Sequence, residues 1–489
     1  MIRSILISSL LLAALNNIFV FAQNQKNAPI EIADRREIFV DKQLITQLSG
    51  VEVLMHHPHN EGKVLAFDRP WEGNFSAYCT IIQDKDLFRL YYRGVRESGK
   101  DGNDSEVTCY AESKDGINWV KPALGIYELD GSKQNNVVLA HHVPASHNFS
   151  PFLDTNPNAN PQERYKALAG TQKSGLMAFV SADGIHWKKK QETPVFTKGV
   201  FDSQNTVFWS ESEKLYVCYF RIWSDGGFSK YQGFRSVGRT VSKDFVNWSE
   251  PVAMTFGDAP LDHLYTQQTA PYIRAPHMYL AIGARFMPKR QVLTPEEAAV
   301  LKVDPKYFND CSDAVLMSSR GGNAYDRIFI ESYIRPGIGL ENWVSRSNYP
   351  VLNVVQTSPT ELSVYVNESY AQPSAHIKRY SLRLDGFASI HAPAVGGYMI
   401  TKPLVFKGKE LEINYSTSAA GDVKVEILDA NGNPIPGFKV SDSKVMIGNE
   451  IKRIVSWNQN TNVSSLAGKA IQLKFYLKDA DLYSYKFNP

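Results

Sequence analysis

Short apolar runs bounded by turn-forming residues recur along most of the chain. Residues 87–93, 164–169, 214–221, 278–282 and 362–366 alternate aromatic or β-branched positions with polar ones, and they predict strands. Each run is followed by a related turn. Ser113-Lys114-Asp115-Gly116-Ile117-Asn118-Trp119 recurs as Ser181-Ala182-Asp183-Gly184-Ile185-His186-Trp187 and as Ser242-Lys243-Asp244-Phe245-Val246-Asn247-Trp248. Shorter copies stand at Ser319-Arg320-Gly321-Gly322 and Arg383-Leu384-Asp385-Gly386. The markers Asp115, Asp183, Asp244, Gly321 and Asp385 are 68, 61, 77 and 64 residues apart. That period suits one four-stranded blade with long loops, so five units predict a five-bladed β-propeller. The Ser and Asp side chains can bond local amides and Asp-Gly favours a tight turn, so the motif is read as structural.

The helical signal is sparse. Thr294-Pro295-Glu296-Glu297 has an N-cap, a Pro at the first position and a Glu three after the cap. It falls in the longest interval and predicts a helical insertion in the fourth blade, overhanging the site. After about residue 394 the turn motif stops. Residues 411–415, 423–427 and 471–475 alternate strictly, and Asn431-Gly432 marks a hairpin. This predicts a β-sandwich. The expected all-β organisation is a signal peptide at 1–22, a five-bladed β-propeller at 23–393 and a β-sandwich at 394–489.

The signal-peptide reading rests on Arg3, the apolar run 5–14 and Val20-Phe21-Ala22 before Gln23. Asn16 and Asn17 break the run, which is too short to span a bilayer comfortably. A periplasmic or secreted protein is expected, with no membrane association after cleavage. A net charge of +3 over 489 residues, without a basic run, argues against nucleic acid as a partner. Cys79, Cys109, Cys218 and Cys311 have wide, irregular spacings that do not suit zinc ligands; an exported protein could pair them, while Cys79, Cys109 and Cys218 sit in strand-like runs and read as small buried core residues. No metal or other cofactor is indicated.

The three full Ser-x-Asp-x-x-x-Trp turns, the five repeats and the C-terminal sandwich together resemble glycoside hydrolases of families 32, 43 and 68. They are also similar to the hydrolase-labelled propellers of exported bacterial polysaccharide-degrading systems. The resemblance implies inward-facing carboxylates in the central pocket: a nucleophile or base, a transition-state stabiliser and an acid. It implies exo-acting hydrolysis of a plant or algal oligosaccharide. The alternative is a propeller that binds carbohydrate without cleaving it, and a third reading is a lyase or phosphorylase.

Glycoside cleavage ordinarily needs two carboxyl groups. The catalytic candidates are Asp202, Glu361 and Glu72. Glu361 opens a strand of small and apolar residues; it is either an acid with a raised pKa or half of an ion pair. Glu72 is either at the channel mouth or a loop Glu beside a packing Trp. The substrate-binding candidates are Trp71, as a stacking platform, and Asp154, which could equally make an Asx turn. Arg93, Arg221 and Arg285 recur near corresponding strand ends. They either pair with the carboxylates or bind an anionic sugar. His263 is a candidate for bonding a sugar hydroxyl, or an ordinary loop histidine.

Overall fold

The computed structural model describes residues 28–97 and 102–489. The expected signal peptide lies outside them. Two compact units are present, one made of residues 55–387 and the other of the segment up to Leu54 with Ala388–Pro489. The architecture is the five-bladed propeller and β-sandwich that the sequence resemblance implies.

The first propeller blade is Ala77–Asp84, Leu87–Gly94, Val107–Ser113 and Val137–Leu139, in that order from the channel outward. The second is Ser150–Leu153, Tyr165–Thr171, Gly175–Ser181 and Lys188–Lys189. The third is Thr206–Ser210, Leu215–Trp223, Arg235–Ser242 and Val252–Ala253. In the fourth, two short pieces, His263–Thr266 and Thr269–Tyr272, both pair with Ala275–Met287, which then pairs with Cys311–Ser319. The fifth blade begins with Tyr349–Pro350 and Val355–Gln356, continues through Glu361–Glu368 and His376–Arg383, and is completed by His59–Ala66 from the other end of the chain. That last pairing joins the two ends of the propeller segment and closes the ring.

The turn motif acts as its composition predicts. Ser113 Oγ accepts from the Gly116 amide at 2.9 Å, and Asp115 Oδ1 accepts from the Ile117 and Asn118 amides at 2.8 Å each. The same bonds recur around Asp183 and Asp244. Gly116 and Gly184 have φ of +73° and +76°. A Cβ there would meet the Tyr365 and Tyr91 hydroxyls at 2.8 and 2.7 Å, because those tyrosines donate to the two glycine carbonyls from neighbouring blades. The third copy has Phe245 at this position, φ +67°. Its buried ring packs against Phe152 and Tyr216.

These carboxylates make the fold acid-sensitive. Burial would raise the Asp244 carboxyl, but the Asn247 and Val246 amides, the Asn247 side chain and the Ser242 hydroxyl outweigh it and bring it down to about 2. A group lowered on folding contributes stability above its unfolded pKa of about 4 and loses it as pH falls through the folded value. Urea midpoints should therefore drop between about pH 4 and pH 2, and Asp244→Asn should flatten that drop. An unchanged slope in the variant would show that other groups carry the acid transition.

The predicted helix forms at Pro295–Val300, with a complete capping box between Thr294 and Glu297. It buries Ala298 in a cluster that also holds Phe75, Tyr265, Tyr307 and Tyr349. All four cysteines are free and buried, Cys79, Cys109 and Cys218 in strands as their surroundings suggest.

The sandwich is centred on two long strands, Glu410–Asp429 and Ile471–Asn488, whose pairing shifts register between Thr417 and Asp422. The core is a continuous apolar cluster that includes Phe406, Tyr415, Trp457 and Phe475. Phe406 and Phe487 stack at 3.7 Å. The sequence boundary between the domains differs from the structural one. Ile30–Ala33 pairs in parallel with Leu404–Phe406, Glu37–Ile38 with the last strand, and Ile45–Ser49 with Gly397–Thr401. Residues 30–54 therefore complete the sandwich rather than the propeller, and Ala388–Ala392 joins them.

Candidate active site

The five innermost strands run in one direction along the channel, so it has a near mouth, where they begin, and a far mouth, where they end. Strand polarity then sorts the candidate residues. In a four-stranded meander the first and third strands begin at the near mouth, and the second and fourth begin at the far one.

Asp202 precedes the innermost strand of blade three and lies at the near mouth. Its side chain is 42% exposed, and Oδ1 accepts from Arg221 Nη1 at 2.9 Å. Arg221, Arg93 and Arg285 stand at the ends of second strands and reach the same mouth, as does His263 at the start of a first strand. Glu361 opens a second strand and therefore sits at the far mouth, ion-paired with Arg379 and bonded by Thr357 Oγ1 at 3.0 Å. Asp154 follows an innermost strand and is also at the far end. Its Oδ1 takes the Asn156 amide in an Asx turn, while Oδ2 is buried against Lys166 at 2.6 Å and Tyr216 at 2.7 Å.

Glu72 is fully buried. Tyr92 donates to Oε1 at 2.5 Å, and Lys121 and the Arg69 amide donate to Oε2 at 2.7 and 2.9 Å. Trp71 beside it donates to Asn136 Oδ1 at 2.8 Å and packs in the blade-one core. Both oxygens of Glu72 are thus taken, and the Trp71 indole is tied, half-buried, to blade one. The three catalytic candidates thus do not converge: one is at the near mouth, one is at the far mouth and one is internal.

What converges at the near mouth is a basin of arginine and aromatic side chains. The guanidinium carbons of Arg221, Arg235 and Arg346 lie 4.8, 5.2 and 5.3 Å from the centre of the Tyr265 ring. Arg235 also lies 4.8 Å from the Trp223 and Phe286 rings, and Arg93 lies 4.6 Å from the Tyr78 ring. Arg221 is anchored by Asp202 and by the Tyr265 carbonyl. Arg235 has no side-chain hydrogen bond, and its Nε is buried without a partner. Burial, and after it the neighbouring Arg221, draw Arg235 below the usual guanidinium range. Asp202 is the carboxylate that these contacts place in the basin.

His263 is held down from the usual imidazole range by burial, then by Arg235 and Arg221. Its Nδ1 lies 3.1 Å from the Arg235 amide and accepts from it, so the neutral ring carries its proton on Nε2. Tyr231, 55% exposed, meets Trp223 edge-on at 5.6 Å and offers an aromatic face to solvent. Non-glycine residues with positive φ ring the mouth: Tyr78, Asn148, Phe201, Arg346 and Asn348, at 52–62°. Strained backbone of this kind persists where the surroundings fix it, and it clusters at functional sites.

Below the basin the channel is closed by side-chain amides from two blades, bonded to groups on two others. Gln204 Nε2 donates to Thr80 Oγ1 at 2.7 Å, and Gln268 Nε2 donates to Gln204 Oε1 and the Pro350 carbonyl, both at 2.8 Å. Beyond this plug the far mouth is a separate, largely apolar cavity of about 290 Å³ bordered by Ile81, Phe152, Val207, Trp209 and Leu352. Among the described residues no cluster of His, Cys, Asp and Glu could hold a metal ion.

Arg235, Arg346 and Tyr265 were not singled out from sequence. Arg235 opens a third strand and Arg346 lies in a loop, so neither shares the second-strand position that groups Arg93, Arg221 and Arg285.

No protein-family model matches the chain, and no curated protein does. Among solved structures, the chain is similar to a glycoside hydrolase family 43 arabinoxylan arabinofuranohydrolase from Bacillus subtilis. The identity is 10%, over 88% of this chain and 99% of that one, with a TM-score of 0.41. A family 32 β-fructofuranosidase from Bombyx mori matches at 11% identity over 87% and 94% of the two chains, with a TM-score of 0.41. A β-1,2-mannobiose phosphorylase from Listeria innocua matches at 10% identity over 68% and 97%, with a TM-score of 0.43.

Proposed function

We propose that the protein is an exported carbohydrate-active enzyme that seats, at the near mouth, a sugar residue bearing a carboxylate or sulfate. One observation carries this reading: three guanidiniums gather round Tyr265, and among the described residues only Arg221 of the three has a carboxylate at ion-pair distance, Asp202. Arg235 in particular is a half-buried cation that makes no side-chain hydrogen bond within the protein. An anionic group would supply an acceptor and offset the repulsion from Arg221. Tyr231 supplies a ring face of the kind on which sugars stack.

Asp202 and His263 Nε2–H are the groups that move a proton. One is a carboxylate open to solvent and the other a neutral imidazole with its donor orientation fixed. A two-carboxylate hydrolysis through Asp202 with Glu361 or Glu72 is not assembled. A second reading, binding without cleavage, is favoured by the Arg221 bond that occupies one oxygen of Asp202.

Titration calorimetry with uronate, sulfated and neutral sugars tests the basin. Charged sugars should bind, neutral ones should bind weakly, and Arg235→Ala should cost about tenfold or more, the usual worth of a hydrogen bond to a charged group. Equal affinity for neutral sugars, together with an unaffected variant, would remove the basis for an anionic ligand. Binding without any product would favour the second reading.

A further inference from the structure

We propose that a second cavity at the near mouth, of about 630 Å³ and bordered by Arg285, Arg290, Asp313, Arg335 and Trp343, is a second subsite for a charged sugar. The ligand is then an anionic oligosaccharide rather than a single residue. This rests on the reading of the Tyr265 basin as an anionic-sugar site.

The position follows from register. Ala275–Met287 runs toward the near mouth, with Phe286 opposite His263 and Arg285 opposite Leu264. The cavity therefore opens on the far side of the strand pair that carries His263. Its other wall is the loop through Trp343, three residues before Arg346 of the basin.

The charges in the cavity are unbalanced. Arg285 is committed: its Nε and Nη2 donate to the two Asp313 oxygens at 2.9 and 2.6 Å. Arg290 and Arg335 are exposed, and neither has a carboxylate at ion-pair distance among the described residues. The nearby Asp310 is occupied by the Lys289 amide at 2.6 Å. Trp343 donates its Nε1 to the Gly337 carbonyl at 3.2 Å, which fixes the half-exposed indole on the same rim. Two free guanidinium forks beside an anchored indole suit a sugar ring on the aromatic face with its carboxylate or sulfate on the arginines. The volume lies in the range of small-molecule sites.

A size ladder of uronate and sulfated oligosaccharides, one to six residues long, tests this by titration calorimetry on the full chain. The longer members should bind at least about tenfold tighter than the monomer. The Arg290→Ala/Arg335→Ala double variant should lose that gain and keep the wild-type affinity for the monomer. Both side chains are exposed, so the fold should be undisturbed, and a circular dichroism spectrum checks it. Arg235→Ala should weaken every length alike. Affinity that does not grow with length, or a gain that survives in the double variant, overturns the second subsite while leaving the basin standing. An Arg235→Ala protein that binds every length normally overturns the basin reading instead. A wild-type protein that binds no charged sugar overturns both.

Discussion

Asp202→Asn is expected to lower turnover of a charged oligosaccharide by about 10²–10⁴-fold, the usual range for a proton-transferring side chain, while leaving binding within a few fold. The amide has the shape of the carboxylate, and its oxygen can still accept from Arg221 Nη1, as Asp202 does at 2.9 Å. The basin should therefore keep its form and lose only the group that takes the proton. Product release under saturating substrate, beside calorimetric affinity, separates the two effects. Glu361→Gln is the matched control. It lies at the opposite mouth, paired with Arg379, and should leave turnover unchanged. If the roles reverse, with Glu361→Gln inactive and Asp202→Asn active, the chemistry takes place at the far mouth.

Glu72→Ala is expected to be the most damaging single change to the fold. It strips the buried Lys121 ammonium, whose side chain is 9% exposed, of its internal carboxylate, and it removes the acceptor of the Tyr92 hydroxyl. Breaking a buried ion pair from one side costs about 3–5 kcal/mol. The Lys121 contact to Asp68 at 3.0 Å remains, and Asp68 is solvent-exposed, so the lower half of that range is expected. Denaturant unfolding followed by tryptophan fluorescence measures it. A loss below about 1 kcal/mol would place Glu72 among ordinary surface carboxylates.

The turns were legible because their chemistry is local. Ser113, Asp115 and Gly116 bond within a few residues of one another, so composition and spacing carry the whole instruction. The capping box at Thr294 is legible for the same reason. The strands of residues 30–54 were not, because their partners lie more than 300 residues downstream. An isolated Ile-Glu-Ile says nothing about which sheet it joins.

The site divides along the same line. The position of Asp202 at the near mouth was legible because the polar residues before an innermost strand must face that mouth. Asp154 and Glu361 were drawn to the wrong end because a run of strand residues does not show its direction through the sheet. In blade five the long run starting at Glu361 is the second strand, and two short pieces near Tyr349 and Val355 take the innermost place. Arg346 and Tyr265 meet only where blade four packs against the start of blade five, 81 residues on, a contact with no local trace.

The pairing of residues 30–54 with Ala388–Pro489 also sets an order of events during synthesis. The propeller segment emerges from the ribosome whole, and the strand His59–Ala66 can close its ring once His376–Arg383 has appeared. The first sandwich strands leave the ribosome earlier still and must wait, edges unpaired, for partners made after the propeller segment; the partner of Glu37–Ile38 is the last strand of all, Ile471–Asn488. The domain that starts first is therefore the one that finishes last. Its early strands are the part of the nascent chain most exposed to pairing with the wrong partner.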